Sequence, residues 1–343
     1  MTTFNKAELL SRFNIVRPAI SSNSPFNVFK MLRIDVSDGE YQLVASDGLM
    51  QITAKGKCEG EETFSQCVDP KMFSVMLSAA KGDINIVLDD NKIKTISGKS
   101  KFNIPANSGD AFPCLTLDGE YNSLNLKEII DTTYKAIPTK HTQPAFMGVG
   151  LDQRDGVLNA VATDSNMILI NSVKNDGDDF QIIIPKDSAE YLANIDTDGF
   201  CVSDKSLKAY SKQDDFEIIT KLIDAKMIDW RRVISDCSES ITTDRNELLD
   251  SVMTIAKIEN AQRVDIESAQ NEMTISMKDG NGGMISNQIE CSGDDVVWSL
   301  DPKKLAVCLG YIDADEIAIG VNTTGALQSQ NNSKKFALAM MKR

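Results

Sequence analysis

Histidine is nearly absent from this sequence: His141 is the only one in 343 residues. A metal site built from several histidines is therefore excluded, and a Ser-His-Asp triad has little room to form. His141 follows Lys140, a setting more typical of a solvated polar residue than of a catalytic one. We therefore predict no catalytic residue, no metal and no cofactor, and we predict that the chain is not an enzyme.

Other chemical signatures are missing as well. The cysteines are odd in number, scattered and without a Cys-x-x-Cys pair; they are Cys58, Cys67, Cys114, Cys201, Cys237, Cys291 and Cys308. This pattern is typical of reduced thiols rather than of a disulfide framework. Gly98-Lys99-Ser100 resembles the end of a phosphate loop, but Ile93 stands where that motif needs glycine.

No stretch approaches the roughly 18 apolar residues that a membrane-spanning helix needs. The N-terminal sequence MTTFNKAELL is polar and lacks the apolar segment of a signal peptide. Together with the cysteine pattern, these absences predict a cytoplasmic protein that does not bind membranes.

Positive charge is scarce relative to negative charge, since 36 Lys and Arg residues stand against 50 Asp and Glu residues, a net charge of −14. Such a balance argues against ordinary DNA binding, which gains its affinity by neutralising phosphates. A hydrophobic content of 42% and a charged content of 25% are those of a globular protein.

What the sequence does contain is a long internal repeat. VDPKMFSVML (68–77) returns as LDPKKLAVCL (300–309), and IPKDSAEYLA (184–193) is a third version. The prolines at 70, 185 and 302 are 115 and 117 residues apart. This period is the size of a small domain and is far longer than a solenoid repeat.

Two further phrases recur in the same order. VSDGEYQLVASD (36–47) matches QRDGVLNAVATD (153–164), and SAQNEMTISMKD, which ends at Asp279, is a weaker third version. A glutamate followed by two aliphatic residues occurs at Glu8, Glu128 and Glu247. We therefore predict three tandem, similar domains with the boundaries 1–118, 119–236 and 237–343.

Each domain is predicted to contain two helices together with strands, which gives an α+β class. Helical spacing of apolar residues predicts first helices from Lys6 to Val16, from Leu126 to Ile137 and from Leu248 to Ala256. Asp69 and Asp301 precede prolines and are predicted to cap the second helices. In the first of these, the apolar face is predicted to consist of Met72, Phe73, Met76, Leu77 and Ala80.

The chain resembles the bacterial sliding clamp, the beta subunit of DNA polymerase III. The resemblance is low but collinear, and the segments that carry it are DGVLNAVATDSNMILI (155–170), IIIPKDSAEYL (182–192), TKLIDAKMIDWRRVI (220–234), SKFNIPANSGDAFPCL (100–115) and FALAMMKR (336–343). It implies a clamp fold in which helices are backed by antiparallel sheets, and two chains that pair head to tail into a closed ring. The ring would encircle duplex DNA as a processivity factor, and its partners would be the replicative polymerase and the clamp loader.

On this resemblance, lysines of the helical segments would face the DNA. We name them the bore lysines: Lys71, Lys81, Lys127, Lys135, Lys186, Lys303 and Lys304. The alternative interpretation is that they belong to ordinary solvated helix faces, with i,i+4 partners such as Asp131 for Lys135.

The resemblance also implies a pocket between the middle and last domains that binds a hydrophobic partner peptide. Thr163, Arg232 and Val233 match the family pattern, whereas Ser165 and Ile228 stand in place of the family's glycine and proline. The complete predicted set is Thr163, Ser165, Met167, Ile168, Ile228, Arg232, Val233, Ala339, Met340 and Met341. For Met340 and Met341 a place in the core of the last strand is an equal alternative. The departures indicate a divergent member, of the kind that a phage or plasmid could carry.

Two other functions stay open at the level of sequence. A clamp-like scaffold could bind proteins without encircling DNA. A hydrolase with an unrecognised carboxylate site is poorly supported, because one histidine and no catalytic motif are present.

Overall fold

The computed structural model of the chain describes residues 1–278, 283–331 and 333–342. Its contacts form two compact units, named here unit 1 (residues 1–127 and 194–222) and unit 2 (residues 128–193 and 223–343). Both contain helices and antiparallel sheets, so the predicted α+β class is confirmed. The units cut across the predicted middle domain, and the division into three domains stays a prediction.

Unit 1 is built on one eleven-stranded antiparallel sheet. Its α-helices are α1 (Lys6–Val16) and α2 (Pro70–Ala79), and its 3₁₀ turns are Arg17–Ala19, Asn27–Lys30 and Gly109–Ala111. The strands are β1 (Thr2–Phe4), β2 (Leu32–Ser37), β3 (Glu40–Ser46), β4 (Met50–Glu59), β5 (Phe64–Val68), β6 (Ile84–Asp89), β7 (Lys92–Ser97), β8 (Ser100–Ser108), β13 (Gly199–Val202), β14 (Ser206–Ser211) and β15 (Phe216–Lys221). Their order is β1-β6-β7-β8-β5-β2-β3-β4-β15-β14-β13.

The chain passes from unit 1 to unit 2 within α3 (Leu126–Ile130). Unit 2 also contains α4 (Lys186–Leu192), α5 (Arg245–Ala256), α6 (Pro302–Tyr311) and 3₁₀ turns at Thr133–Ala136, Pro144–Phe146 and Trp230–Arg232. Its strands are β9 (Gly148–Arg154), β10 (Val157–Thr163), β11 (Met167–Lys174), β12 (Phe180–Pro185), β16 (Cys237–Asp244), β17 (Val264–Ala269), β18 (Glu272–Lys278), β19 (Met284–Gly293), β20 (Val297–Leu300), β21 (Glu316–Asn322), β22 (Ala326–Asn331) and β23 (Lys334–Ala339). They form a sheet in the order β12-β9-β10-β11-β23-β22-β21-β16-β19-β18-β17-β20.

The predicted caps are present at both Asp-Pro-Lys phrases. The Asp69 carboxylate accepts hydrogen bonds from the backbone N–H groups of residues 71 and 72 at 2.8 and 2.9 Å. Asp301 does the same for residues 303 and 304 at 2.9 and 3.2 Å. In the middle copy Ile184 replaces the aspartate, so α4 has no side-chain cap and begins one residue later, at Lys186.

The apolar face of α2 is narrower than predicted. Phe73, Met76, Leu77 and Ala80 are buried, but the prediction for Met72 is wrong because its side chain is 43% exposed. The ring of Phe73 lies 5.5 Å from that of Phe13 on α1 and fixes which face of the helix meets the core. Since each residue turns the helix by about 100°, Met72 falls at the edge of that face.

The predicted helix from Leu126 to Ile137 is also wrong in its length, because α3 ends at Ile130. The side-chain amide of Asn171 donates hydrogen bonds to the carbonyl oxygens of residues 128 and 129, at 2.8 and 2.9 Å. These carbonyls would otherwise accept the N–H groups of the next helical turn. Asp131 follows with a φ of +37°, and helical geometry resumes only as a 3₁₀ turn.

The repeated Asp-Gly phrase forms the same turn each time. Asp38-Gly39 and Asp155-Gly156 have positive φ at both residues, and so do Gln270-Asn271 in the third copy. Each pair joins two antiparallel strands, β2–β3, β9–β10 and β17–β18, as a type I′ hairpin turn does. The repeated phrase therefore adopts the same hairpin turn in all three copies.

The aspartate that ends this phrase also has a repeated role. Asp47 Oδ1 accepts the backbone N–H groups of residues 49 and 50, and Asp164 Oδ1 accepts those of residues 166 and 167. Asp279, the weaker third version, lies outside the described residues.

Among the described residues, no helix is long and apolar enough to cross a membrane. The same part of the chain contains no group of three or more His, Cys, Asp or Glu side chains placed to hold a metal ion.

Candidate peptide-binding site

A cavity of ≈ 290 Å³ opens in unit 2 where three segments meet. Its floor is the sheet at β11, β23 and β22, where Ile168 lies opposite Ala337 across the strand pair and both are buried. The lining consists of Phe146, Thr163, Ser165, Asn166, Met167, Ile168, Ile228, Asp229, Val233, Ala326, Ala337 and Ala339. We name this cavity the candidate pocket.

The space exists because the side chains of its floor are small. Ala326 and Ala339 are directly paired across β22 and β23, and Ala337 lies two residues before Ala339 on the same strand. Protein interiors are close-packed, so a larger side chain at these positions would fill the volume. Apolar side chains from another molecule therefore have room to enter.

One side of the candidate pocket is formed by residues 223–234, which we name the wall segment. It contributes Ile228, Asp229 and Val233 to the lining. Asp152, whose side chain is fully buried, holds this segment from behind: its Oδ2 accepts a hydrogen bond from Trp230 Nε1 at 2.9 Å and a second one from Arg231. Gln181 Nε2 donates to the other carboxylate oxygen at 2.9 Å.

Burial alone would raise the pKa of Asp152. The three hydrogen bonds and the positive charge of Arg231 outweigh it and hold the pKa below its ordinary value. The Arg231 guanidinium also lies over the ring of Trp230, 4.4 Å from its centroid. Asp152 is therefore ionised at neutral pH and anchors the wall segment through charge-assisted hydrogen bonds.

The opposite side is formed by residues 163–167, which we name the pocket loop. Asp164 Oδ1 accepts the N–H groups of residues 166 and 167 at 2.9 and 2.7 Å, and Thr163 Oγ1 accepts that of Ser165 at 3.1 Å. Ser165 has a φ of +76°, a backbone conformation that residues other than glycine rarely adopt. The N–H of Ala339 donates to the carbonyl of Asn166 at 2.7 Å and ties the loop to β23.

The structure brings most of the predicted pocket residues together. The seven that line the cavity are Thr163, Ser165, Met167, Ile168, Ile228, Val233 and Ala339. Three do not line it: Arg232 is exposed and pairs with Asp229 at 2.7 Å, Met340 is half-buried, and Met341 is 40% exposed. The backbone N–H of Met341 donates to the carbonyl of Ser299, which directs the chain end toward β20.

Five lining residues were not predicted from the sequence. Asn166 and Asp229 are neighbours of predicted residues, so their place followed from the motif spacing. Phe146 lies in a short 3₁₀ turn without a motif. The alanines at 326 and 337 carry no chemical signal, because they act through the volume that they leave empty.

The bore lysines differ in their surroundings. Lys71, Lys81, Lys135 and Lys303 are exposed, and Lys186 is half-buried at the start of α4. Two are engaged in ion pairs: Lys127 with Asp196 at 2.9 Å, and Lys304 with Asp164 at 2.7 Å. Lys135 does not pair with Asp131, whose carboxylate meets Lys334 at 2.6 Å instead.

Comparison with known proteins agrees with this fold. A sequence model of the DNA polymerase III beta subunit, N-terminal domain, matches residues 2–116. The beta sliding clamp of Streptococcus pneumoniae is 23% identical over 351 aligned positions, which cover 92% of this chain and 91% of the relative. The chain is therefore similar to beta sliding clamps over nearly its whole length.

Solved structures show that the fold is shared over the whole length. The DNA polymerase sliding clamp from Bacillus subtilis matches with a TM-score of 0.93 at 18% identity, covering 100% of this chain and 99% of that one. The clamp from Pseudomonas aeruginosa, solved with griselimycin bound, also has a TM-score of 0.93, at 17% identity and full coverage of both chains. At these identities the likeness shows a shared fold.

Replacing Asp152 with Asn is expected to lower the free energy of unfolding of unit 2 by about 2 kcal/mol at pH 7, because charge-assisted hydrogen bonds are lost. The folded pKa of Asp152 lies below the value of about 3.9 expected in the unfolded chain. The carboxylate therefore stabilises the fold above that pH, and its contribution disappears as the pH falls toward the folded pKa. The difference between wild type and variant should be constant above about pH 5 and shrink below about pH 4.

Urea unfolding followed by tryptophan fluorescence measures the free energy of unfolding of wild type and variant, since both tryptophans, Trp230 and Trp298, belong to unit 2. Asp229→Asn is the matched control: its exposed pair with Arg232 contributes less than about 1 kcal/mol. A difference for Asp152→Asn that persists undiminished at pH 3 would contradict an anchoring role of the carboxylate charge.

Proposed function

We propose that the chain is a DNA polymerase processivity factor. Two copies close head to tail into a ring around duplex DNA, and the replicative polymerase and the clamp loader dock through short hydrophobic segments in the candidate pocket. The single observation that carries this proposal is the match to sliding clamps over the full length of the chain. The function is mechanical, so no catalytic group is required, and the cytoplasm is where we expect it to act.

The charge distribution fits retention by enclosure rather than by affinity. With a net charge of −14, the chain repels DNA from most of its surface. Exposed lysines at the starts of α2 and α6, Lys71 and Lys303, offer local contacts to phosphates. Weak contacts suit a ring that must slide, because each one is easily exchanged for the next.

Two free sheet edges support the closure of a ring. Residues 100–105 of β8 pair only with β7, and residues 284–290 of β19 pair only with β18, among the described residues. Unpaired edges are ready templates for a strand of another chain. Met284 and Ile285 on β19 are 57% and 38% exposed, which supplies apolar surface for such a contact. Pairing β8 of one copy with β19 of the next is a head-to-tail contact, and in the proposed ring it occurs twice.

The pocket fits an apolar peptide segment. Its buried floor is apolar and its rim carries the polar groups of Thr163, Ser165, Asn166 and Asp229, an arrangement typical of sites that take hydrophobic anchors and orient their backbone.

The mass in solution tests the assembly. Light scattering across a dilution series should give a species of twice the 37.6 kDa chain mass. Ile285→Asp should shift it toward the monomer because the charge enters the β8–β19 contact, whereas Val157→Asp, at an exposed position of β10, should not. A wild type that stays monomeric at every concentration would contradict the ring and favour the scaffold that does not encircle DNA.

Charge reversal tests the DNA-facing lysines. Lys71→Glu combined with Lys303→Glu should shorten the residence of labelled protein on tethered DNA by roughly tenfold at low salt, since two phosphate contacts become repulsive. Lys99→Glu combined with Lys174→Glu changes the net charge equally at exposed positions outside the helices and serves as the control. Equal effects of both pairs would mean that only total charge matters and that Lys71 and Lys303 do not face the DNA.

A further inference from the structure

Lys304 makes a contact that separates it from the other bore lysines. Its ammonium lies 2.7 Å from Asp164 Oδ2, and the two side chains are only 26% and 16% exposed. An ion pair so shielded is screened less by salt than one on the open surface. The charge of Lys304 is thus already neutralised within unit 2.

The same carboxylate shapes the pocket loop with its other oxygen. Asp164 Oδ1 accepts the N–H groups of Asn166 and Met167, and both residues line the candidate pocket. Fixing Oδ2 with a lysine fixes the orientation of the carboxyl plane, and with it the direction of both backbone bonds.

The internal repeat shows that this lysine is special to one copy. The lysine after proline is common to all three, as Lys71, Lys186 and Lys303, but the next position is Met72, Asp187 or Lys304. A function that all three repeats share therefore belongs to the lysine directly after the proline, which in the third copy is Lys303. The second lysine occurs only on the helix that touches the pocket loop.

The repeat also shows why the loop needs support. In the first copy the corresponding turn has Gly48 with a φ of +91°, and it is held by the Asp47 carboxylate and by Ser46 Oγ, which accepts the N–H of Gly48, without an ion pair like that of Asp164 among the described residues. In the second copy the left-handed position is occupied by Ser165, where a side chain makes that conformation unfavourable. An added ion pair on Asp164 compensates for this strain.

We propose that Lys304 is a positioning residue of the peptide pocket: through Asp164 it holds the pocket loop in its binding conformation, and it does not contact DNA phosphates. The inference rests on the proposed function for the identity of the pocket. Its neighbour Lys303, one residue earlier on the same helix and exposed, is left with the DNA-facing role.

Hydrogen exchange tests the loop without any ligand. In Lys304→Met, peptides spanning residues 160–170 should exchange about fivefold faster at the amides of Asn166 and Met167. Lys304→Arg should restore the wild-type rate, and Lys303→Met should leave it unchanged. Combined with Asp164→Asn, Lys304→Met should have no further effect, because the charge pair is already gone. Unchanged exchange in Lys304→Met would overturn the proposal.

Peptide affinity tests the consequence for the pocket. The probe is a fluorescent octapeptide selected from a displayed library on the wild-type chain and shown to lose affinity on Val233→Asp. Lys304→Met should weaken peptide binding about fivefold, and Lys304→Arg should restore it. DNA residence of Lys304→Met should stay at the wild-type value. Lys303→Met should shorten DNA residence and leave peptide affinity unchanged.

The outcomes are distinguishable. Unchanged peptide affinity in Lys304→Met, with loss in Val233→Asp, would overturn the positioning role and leave the pocket in place. Shortened DNA residence in Lys304→Met would overturn the claim that this lysine does not contact DNA. If no selected peptide responds to Val233→Asp, the pocket of the proposed function fails and the inference fails with it, whatever the exchange experiment shows.

Discussion

The pairing of β11 with β23 is the contact on which the candidate site depends. It joins strands that are far apart in the sequence, with Met167 opposite Leu338 and Ile168 opposite Ala337. This register places the small residues of the C-terminal strand beside the pocket loop, and the hydrogen bond from Ala339 to Asn166 continues it past the strand end. The floor of the pocket, the loop at its edge and the contact of α6 with Asp164 all follow from this one strand pair.

A second constraint is the scarcity of positive charge. A net charge of −14 argues against tight binding of DNA through the sum of many phosphate contacts. The proposed ring removes the need for many phosphate contacts, since a closed ring leaves DNA only at an end or by opening. In this proposal the exposed lysines modulate sliding, and the two that form ion pairs, Lys127 and Lys304, do not.

Local signals in the sequence predicted a large part of this structure. The Asp-Pro caps and the start and end of α1 are set by residues next to one another in the chain, which is why they could be predicted from the sequence. The family motif likewise led to Thr163, Ile168 and Val233. The departures came from distant partners: Asn171 ends α3 from more than 40 positions away, and Phe13 decides which face of α2 is buried. The sequence of α3 does not show where Asn171 ends it, and the sequence of α2 does not show which face Phe13 buries.

The sequence predicted the polar and branched residues that line the candidate pocket, but not the small residues that leave the cavity open. Alanines at 326 and 337 define the cavity only once β22 and β23 are paired with β11. The role of Lys304 was equally hidden, because the sequence places it with the other helix lysines and only the structure shows its partner.

Retention on circular DNA tests whether the chain encircles the duplex. Dilute, dissociated chains are mixed with nicked circular DNA, concentrated so that copies associate, and separated from free protein by gel filtration in moderate salt. We expect the chain to elute with the circle and to be released when a restriction enzyme cuts that circle once. Equal retention on circular and linear DNA, or no retention by a chain that is dimeric, would contradict encirclement.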